Sequence, residues 1–362
     1  MNKEVISGNQ LIALVFTFLI ATATLFLPAF VTKNAGQDGW IAPLVAGLIG
    51  IIVVIVVTTL GLRFPKLTLI EYSEIILGNW LGKLVGLIFI VFYIHLTAII
   101  ISEISTTISS TILTDTPIKV ITFILFIITA YGVKKGLEVI TRINILILMV
   151  TYLAMFICLA LLLKDMNIEL LTPVLSNGII PILKDSVPVT GWFGEIVSIA
   201  FLMPFINKPE ETRICSIWGI IWASVTLSFF VALVIMVFGA KLSSNLTFPT
   251  LEAVRIINFS DYIQRAEIIF LIPWLLANII KICFFYYITV FVISKWFKLE
   301  RMSFLVLPVG LIIFSMSLGL FKSNVDLVEF LGKAWGMYSL PIELGIPIFL
   351  LIIELIRKKG RT

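Results

Sequence analysis

The sequence predicts an all-α polytopic membrane protein of ten transmembrane helices. Three observations predict it. First, 60% of the 362 residues are hydrophobic and only 13% are charged, where a soluble domain is about one quarter charged. Second, mean hydropathy is +1.14, and the apolar residues fall into ten runs, most of them close to the ~20 residues a helix needs to cross a bilayer. Third, the first and sixth runs are interrupted by residues that a lipid-facing helix does not use.

The runs are 11–31, 41–62, 84–112, 118–133, 143–163, 181–206, 214–240, 262–294, 303–321 and 336–356. The fourth is short and closed by Lys134-Lys135-Gly136; the third and eighth are long and predict tilt or extension beyond the bilayer. Leu11–Ile20 followed by Ala21-Thr22-Ala23 has the form of a signal peptide with its cleavage site. Lys3 is offset by Glu4, however, and the apolar run continues to Val31, so the stretch is read as span one.

Charge sets the expected orientation. With the amino terminus inside, 16 Lys and Arg fall on the inner side and 9 on the outer, with Lys281 left inside a span. That bias predicts both termini in the cytoplasm. Trp40, Trp80, Trp296 and Trp335 lie at run ends, where interfacial anchors belong. The chain is read as one transmembrane domain. The three cysteines are odd in number, have no CxxC spacing and sit in or beside apolar runs, which argues against a disulfide framework or a zinc site. No cofactor, metal or nucleic-acid partner is expected. No nucleophile–base pair, HExxH or paired catalytic carboxylates stand at useful spacing, so an enzyme is not expected.

The sixth run is the anomaly around which the rest is organised. Pro188-Val189-Thr190-Gly191-Trp192-Phe193-Gly194-Glu195 puts a proline, two glycines and a carboxylic acid at membrane depth. Such an acid costs about 2.5–3.5 kcal/mol on insertion scales. Freed backbone groups there need partners that lipid lacks. The stretch predicts a broken helix whose break lines a protected polar cavity. Span one carries a second interruption, with Thr22, Ala23 and Thr24 ahead of Pro28. Interruptions at the first position of each half predict a five-plus-five inverted repeat, about 8–165 and 176–357, with a midplane site. The plain alternative is a pair of ordinary kinks.

Leu27-Pro28 with Thr32-Lys33 and Asp38-Gly39-Trp40-Ile41, the Gly194-Glu195 break and Arg265-x-Glu267 ahead of Trp274 resemble the spore germinant receptor B subunits. The resemblance implies membership in the amino acid–polyamine–organocation superfamily and a sodium-symporter-like fold. It implies a permease-like subunit in the spore inner membrane that binds a small nutrient, often an amino acid. Its implied partners are a germinant receptor A subunit and a C-subunit lipoprotein, besides the ligand and the bilayer. One departure is plain: where family members often have Gly-x-Gly at the first break, this chain has Thr22-Ala23-Thr24. A proton-coupled amino acid transporter would share the fold and is the rival reading.

In that fold spans three and eight face the breaks. The expected ligand-binding set is therefore Thr22, Ala23, Thr24, Tyr93, Thr97, Gly191, Trp192, Phe193, Gly194, Trp274 and Asn278. Tyr93 and Thr97 share a helix face; a ligand contact and ordinary packing are both open for them. His95 is read as a proton relay or as a neutral histidine bonded to a neighbour. Glu103 is read as pairing with a cation in the outer half. Lys281, deep in span eight, has two readings. It either snorkels inward or stands in for the bound cation of this fold and bridges the break of span one. Glu195 is its second candidate partner.

Overall fold

The computed structural model describes residues 5–257 and 267–360; Arg265 and Asp261 lie outside them. Among the described residues the chain is helical, and no helix alternates with a sheet. Each of the ten apolar runs, over its described residues, coincides with helix. Among the described residues seven helices are long and apolar enough to span a membrane, Gly36–Arg63, Asn79–Thr111, Leu137–Asp165, Ile180–Phe205, Pro209–Ser243, Glu267–Trp296 and Asn324–Arg357, and the bent pair Gly8–Ile20 with Ala23–Val31 makes an eighth. Ile118–Lys135, the fourth run, carries three lysines at its ends, and Ser303–Gly319, the ninth, is shorter. The ten segments are numbered as spans one to ten below after the apolar runs they contain.

The interrupted helices form the centre. The first half of span one packs on spans seven and five, span six on spans two and ten, and span eight on spans three, four and five. Span six is the most enclosed, with 89% of its apolar window buried, against 28% for spans five and ten. Its exposed apolar side chains, Ile180, Leu183 and Val187, lie near its start, and every residue from Val189 to Met203 is buried.

Span ten starts earlier than the sequence predicted. It runs from Asn324 and contains two π-helical turns, Phe330–Ala334 and Pro341–Gly345. Trp335 is therefore not an interfacial anchor but a fully buried mid-helix residue. Such wide turns re-aim side chains inside an otherwise regular helix.

The Asp38-Gly39-Trp40 turn shows why those residues stand together. A side chain on Gly39 would collide with the Val31 carbonyl, so only glycine lets the turn fold back on span one. Asp38, buried, accepts the Leu175 N–H at 2.9 Å and ties down the loop between spans five and six. The Trp40 carbonyl takes the Ser228 hydroxyl at 2.6 Å.

Candidate functional site

Span one bends by 52° between its two helices, at Ala21 and Thr22. The backbone groups released there are met by side chains of span eight, of the segment ahead of it and of span one itself. Asn278 of span eight donates to the Ala21 carbonyl at 3.1 Å and to the Trp274 carbonyl at 2.8 Å. The Thr24 hydroxyl turns back to the Ile20 carbonyl at 2.6 Å. Pro28 has no N–H to give the carbonyl four residues before it, which is that of Thr24. Thr250, from the segment ahead of span eight, supplies the missing donor at 2.6 Å. Thr250 was not anticipated; nothing in the sequence marks a threonine as the substitute for a proline's absent N–H 222 positions earlier.

The break in span six lies later than its glycines suggested. Ile180–Gly194 is α-helical through Pro188, and the helix tightens to 3-10 only at Glu195–Ser198, then again at Met203–Phe205. Gly191 and Gly194 do not unwind the helix; they admit span ten. A Cβ on Gly191 would stand 2.6 Å from Cδ1 of Trp335 and 2.9 Å from the Ser339 hydroxyl, and one on Gly194 would strike the Glu343 carboxyl. Small residues at a membrane helix crossing let backbones approach. The expectation of an unwound glycine stretch is thus corrected to close helix packing with an interruption just after it.

Lys281 settles between the two breaks. Its ammonium is 2.8 Å from Oε2 and 3.1 Å from Oε1 of Glu195, and 2.9 Å from the Thr22 hydroxyl. The Phe285 ring lies beneath it at 5.9 Å. Both charged side chains are essentially unexposed, at 0% and 1%. The inward-snorkelling alternative is thereby excluded. A buried ion pair persists only with close geometry and further hydrogen bonds; Thr22 provides one. One tethered cation thus links span one, span six and span eight.

The other expected residues lie around this centre. Tyr93 is enclosed by Phe89, Phe92, Phe201 and Phe285. Thr97 donates to the Tyr93 carbonyl at 2.7 Å and meets Thr289 at 3.3 Å. Trp192 stacks on Phe30 at 6.0 Å, and Phe193 packs on Gly50 of span two. Trp274 lines an apolar cavity of about 30 Å³ with Ala21 and Thr24. Ala23 is fully buried. Nδ1 of His95 is 3.0 Å from the Tyr338 hydroxyl, away from the ion pair. Glu103 is buried, and its Oε1 has no hydrogen-bond partner; among the described residues no Lys or Arg stands within ion-pair distance of it, so the expected pairing in the outer half is not seen. Glu267 opens span eight as an acidic residue of its first turn.

The approaches to the centre are unequal. At one end a vestibule of about 580 Å³ opens over Phe30 and Pro188, edged by Lys33, Lys184 and Lys333. There Asp185 of span six accepts the Asn34 N–H at 2.7 Å, the Asn34 amide at 2.6 Å and the Ala35 N–H at 2.8 Å. At the opposite end the chain is zipped shut. Ile6 donates to the Phe205 carbonyl at 2.9 Å and accepts from Asn207 at 3.1 Å, so the segment ahead of span one pairs with the segment after span six.

Sequence reasoning passed over span ten. Trp335, Ser339 and Glu343 line the face that meets Gly191 and Gly194, and Glu343 is fully buried. The signal was present, since a carboxylate inside the apolar run 336–356 is the same anomaly as Glu195 in span six. Among the described residues, no group of three or more His, Cys, Asp and Glu is placed to hold a metal ion.

A family model described as spore germination protein matches residues 5–324. Spore germination protein KB of Bacillus subtilis (strain 168) is 27% identical, over 100% of this chain and 97% of its own length. Spore germination protein YndE of the same organism is 30% identical, over 98% of each. Among solved structures, Mhp1, a nucleobase-cation-symport-1 family transporter in a closed conformation, superposes with a TM-score of 0.73 at 15% identity over 99% of this chain and 80% of that one. MhsT in complex with L-phenylalanine gives 0.64 at 14% identity over 98% and 99%. At that identity the two establish the transporter-like fold alone.

Proposed function

This chain belongs to the spore germination protein family, and on that premise we propose that it is the permease-like, nutrient-sensing membrane subunit of a spore germinant receptor. A small germinant binds near the midplane beside the two interruptions. Binding shifts the balance between open and closed arrangements by the ligand's differential affinity for them. The spore inner membrane, cytoplasmic termini, repeats at about 8–165 and 176–357, and association with an A subunit and a C-subunit lipoprotein belong to the same reading.

The observation that carries it is the Lys281 bridge. The sodium-symporter-like fold implied by the resemblance has a cation site between span one and span eight. Here the ion is a side chain, permanently attached. The bridge joins the three spans without a dissolved metal ion, which fits a ligand-gated sensor; a proton carried by Lys281 or Glu195 belongs to the rival transporter reading.

The test uses spores whose sole intact nutrient receptor contains this chain, challenged with amino acids and sugars. Germination to at least one nutrient, lost on deletion of this chain alone, is the expected result. Indifference of every response to that deletion removes the proposal. Robust gradient-driven uptake by the purified chain in proteoliposomes would favour the transporter instead.

A further inference from the structure

The face of span ten that meets span six carries polar groups without partners. Glu343 is fully buried, and neither of its oxygens has a hydrogen bond of normal geometry, although the Ser339 hydroxyl is within reach. The Trp335 indole N–H and the Tyr93 hydroxyl are likewise buried and unpartnered. Buried polar groups are normally satisfied, and each exception calls for a reason. Lys281 acts on Glu343 only through space, because its ammonium is hydrogen-bonded to Glu195 and Thr22, and the Glu195 carboxyl lies within electrostatic range of Glu343 as well.

On the same helix, Trp335 and Tyr338 precede this carboxyl by eight and five residues. Trp335 packs with Phe92 at 6.2 Å and with Tyr338 at 5.9 Å, and Tyr93 and Tyr338 both lie within electrostatic range of Glu343. A carboxyl preceded along its helix by aromatic rings suits an organic cation: the acid supplies the counter-charge, and ring faces attract ammonium groups.

We propose that Glu343 is the anchor for a protonated amine on the ligand of this protein, with Trp335 and Tyr338 as walls of that subsite. This rests on the ligand-binding reading above and narrows the ligand to a small primary amine. The carboxyl now lies directly against Gly194. An arriving amine must therefore part spans six and ten beside Glu195, so occupancy acts on the same segment that Lys281 holds.

Purified full-length protein in lipid nanodiscs is to be titrated, by thermal shift, with the twenty L-amino acids, methylammonium chloride, glucose and potassium chloride. Stabilisation by at least one amine is expected. In Glu343→Gln its half-saturating concentration rises at least tenfold; in Glu343→Asp it is partly restored. Tyr338→Leu, which leaves the carboxyl in place and so serves if Glu343→Gln does not fold, weakens the same amine several-fold. Stabilisation by glucose or by potassium chloride alone, or amine binding that neither Glu343→Gln nor Tyr338→Leu alters, overturns the proposal. Amine binding by the purified protein without any spore response upholds this subsite and removes the receptor reading.

Discussion

Lys281 and Glu195 form an ion pair at 2.8 Å, with 0% and 1% of their side chains exposed. Removing one partner leaves the other charged and dry. Lys281→Met or Glu195→Gln alone is expected to cost about 3–5 kcal/mol, and the double variant much less than the sum. Thermal unfolding of the four proteins in one detergent measures it. Additive losses would show that the two side chains act independently.

Thr250 stands in for the N–H that Pro28 lacks. Thr250→Val should cost about 1–3 kcal/mol, the penalty of an unsatisfied buried carbonyl. In a Pro28→Ala background the helix supplies its own donor, and the same change should cost distinctly less. An equal cost in both backgrounds would disconnect the hydroxyl from the proline.

Gly191 and Gly345 make a contrast within the same two helices. A methyl on Gly191 meets Trp335 and Ser339, whereas nothing lies within 4 Å of one on Gly345. Gly191→Ala should destabilise by about 1–3 kcal/mol through overpacking. Gly345→Ala should be neutral or gain up to about 1 kcal/mol, because alanine loses less backbone entropy. Detergent melting curves decide, and equal effects would contradict the packing role.

Arg63 and Glu354 are paired unequally, since Arg63 is 28% exposed and Glu354 is fully enclosed. Arg63→Met strands a buried carboxylate and should cost about 3–5 kcal/mol. Glu354→Gln leaves an arginine that reaches water, and the loss should be clearly smaller. Reversal of that order in chemical denaturation would show that the carboxylate has other support, beyond the Gly360 N–H at 2.8 Å.

The helical runs and the depth of Lys281 were legible because bilayer thickness and the cost of a buried charge act on sequence directly. The partner of Lys281 was legible as one candidate because few intramembrane acids exist. The purpose of the glycines was not. Gly191 and Gly194 serve close packing and unwinding equally well in a one-dimensional reading; only the facing Trp335 and Glu343 decide. Trp335 looked interfacial because the helix before it, Asn324–Ala334, is mixed in polarity and hides that span ten has already begun. Thr250 was illegible since its role depends on a proline in a distant span.

Asp185 clasps Asn34 and Ala35 through three hydrogen bonds, so the ends of spans one and six that flank the vestibule are spliced to each other. They behave as one lever. Displacement of either end is expected to carry the other with it, about the interruptions at Thr22 and at Glu195. The lysine between those points is the pin of the hinge.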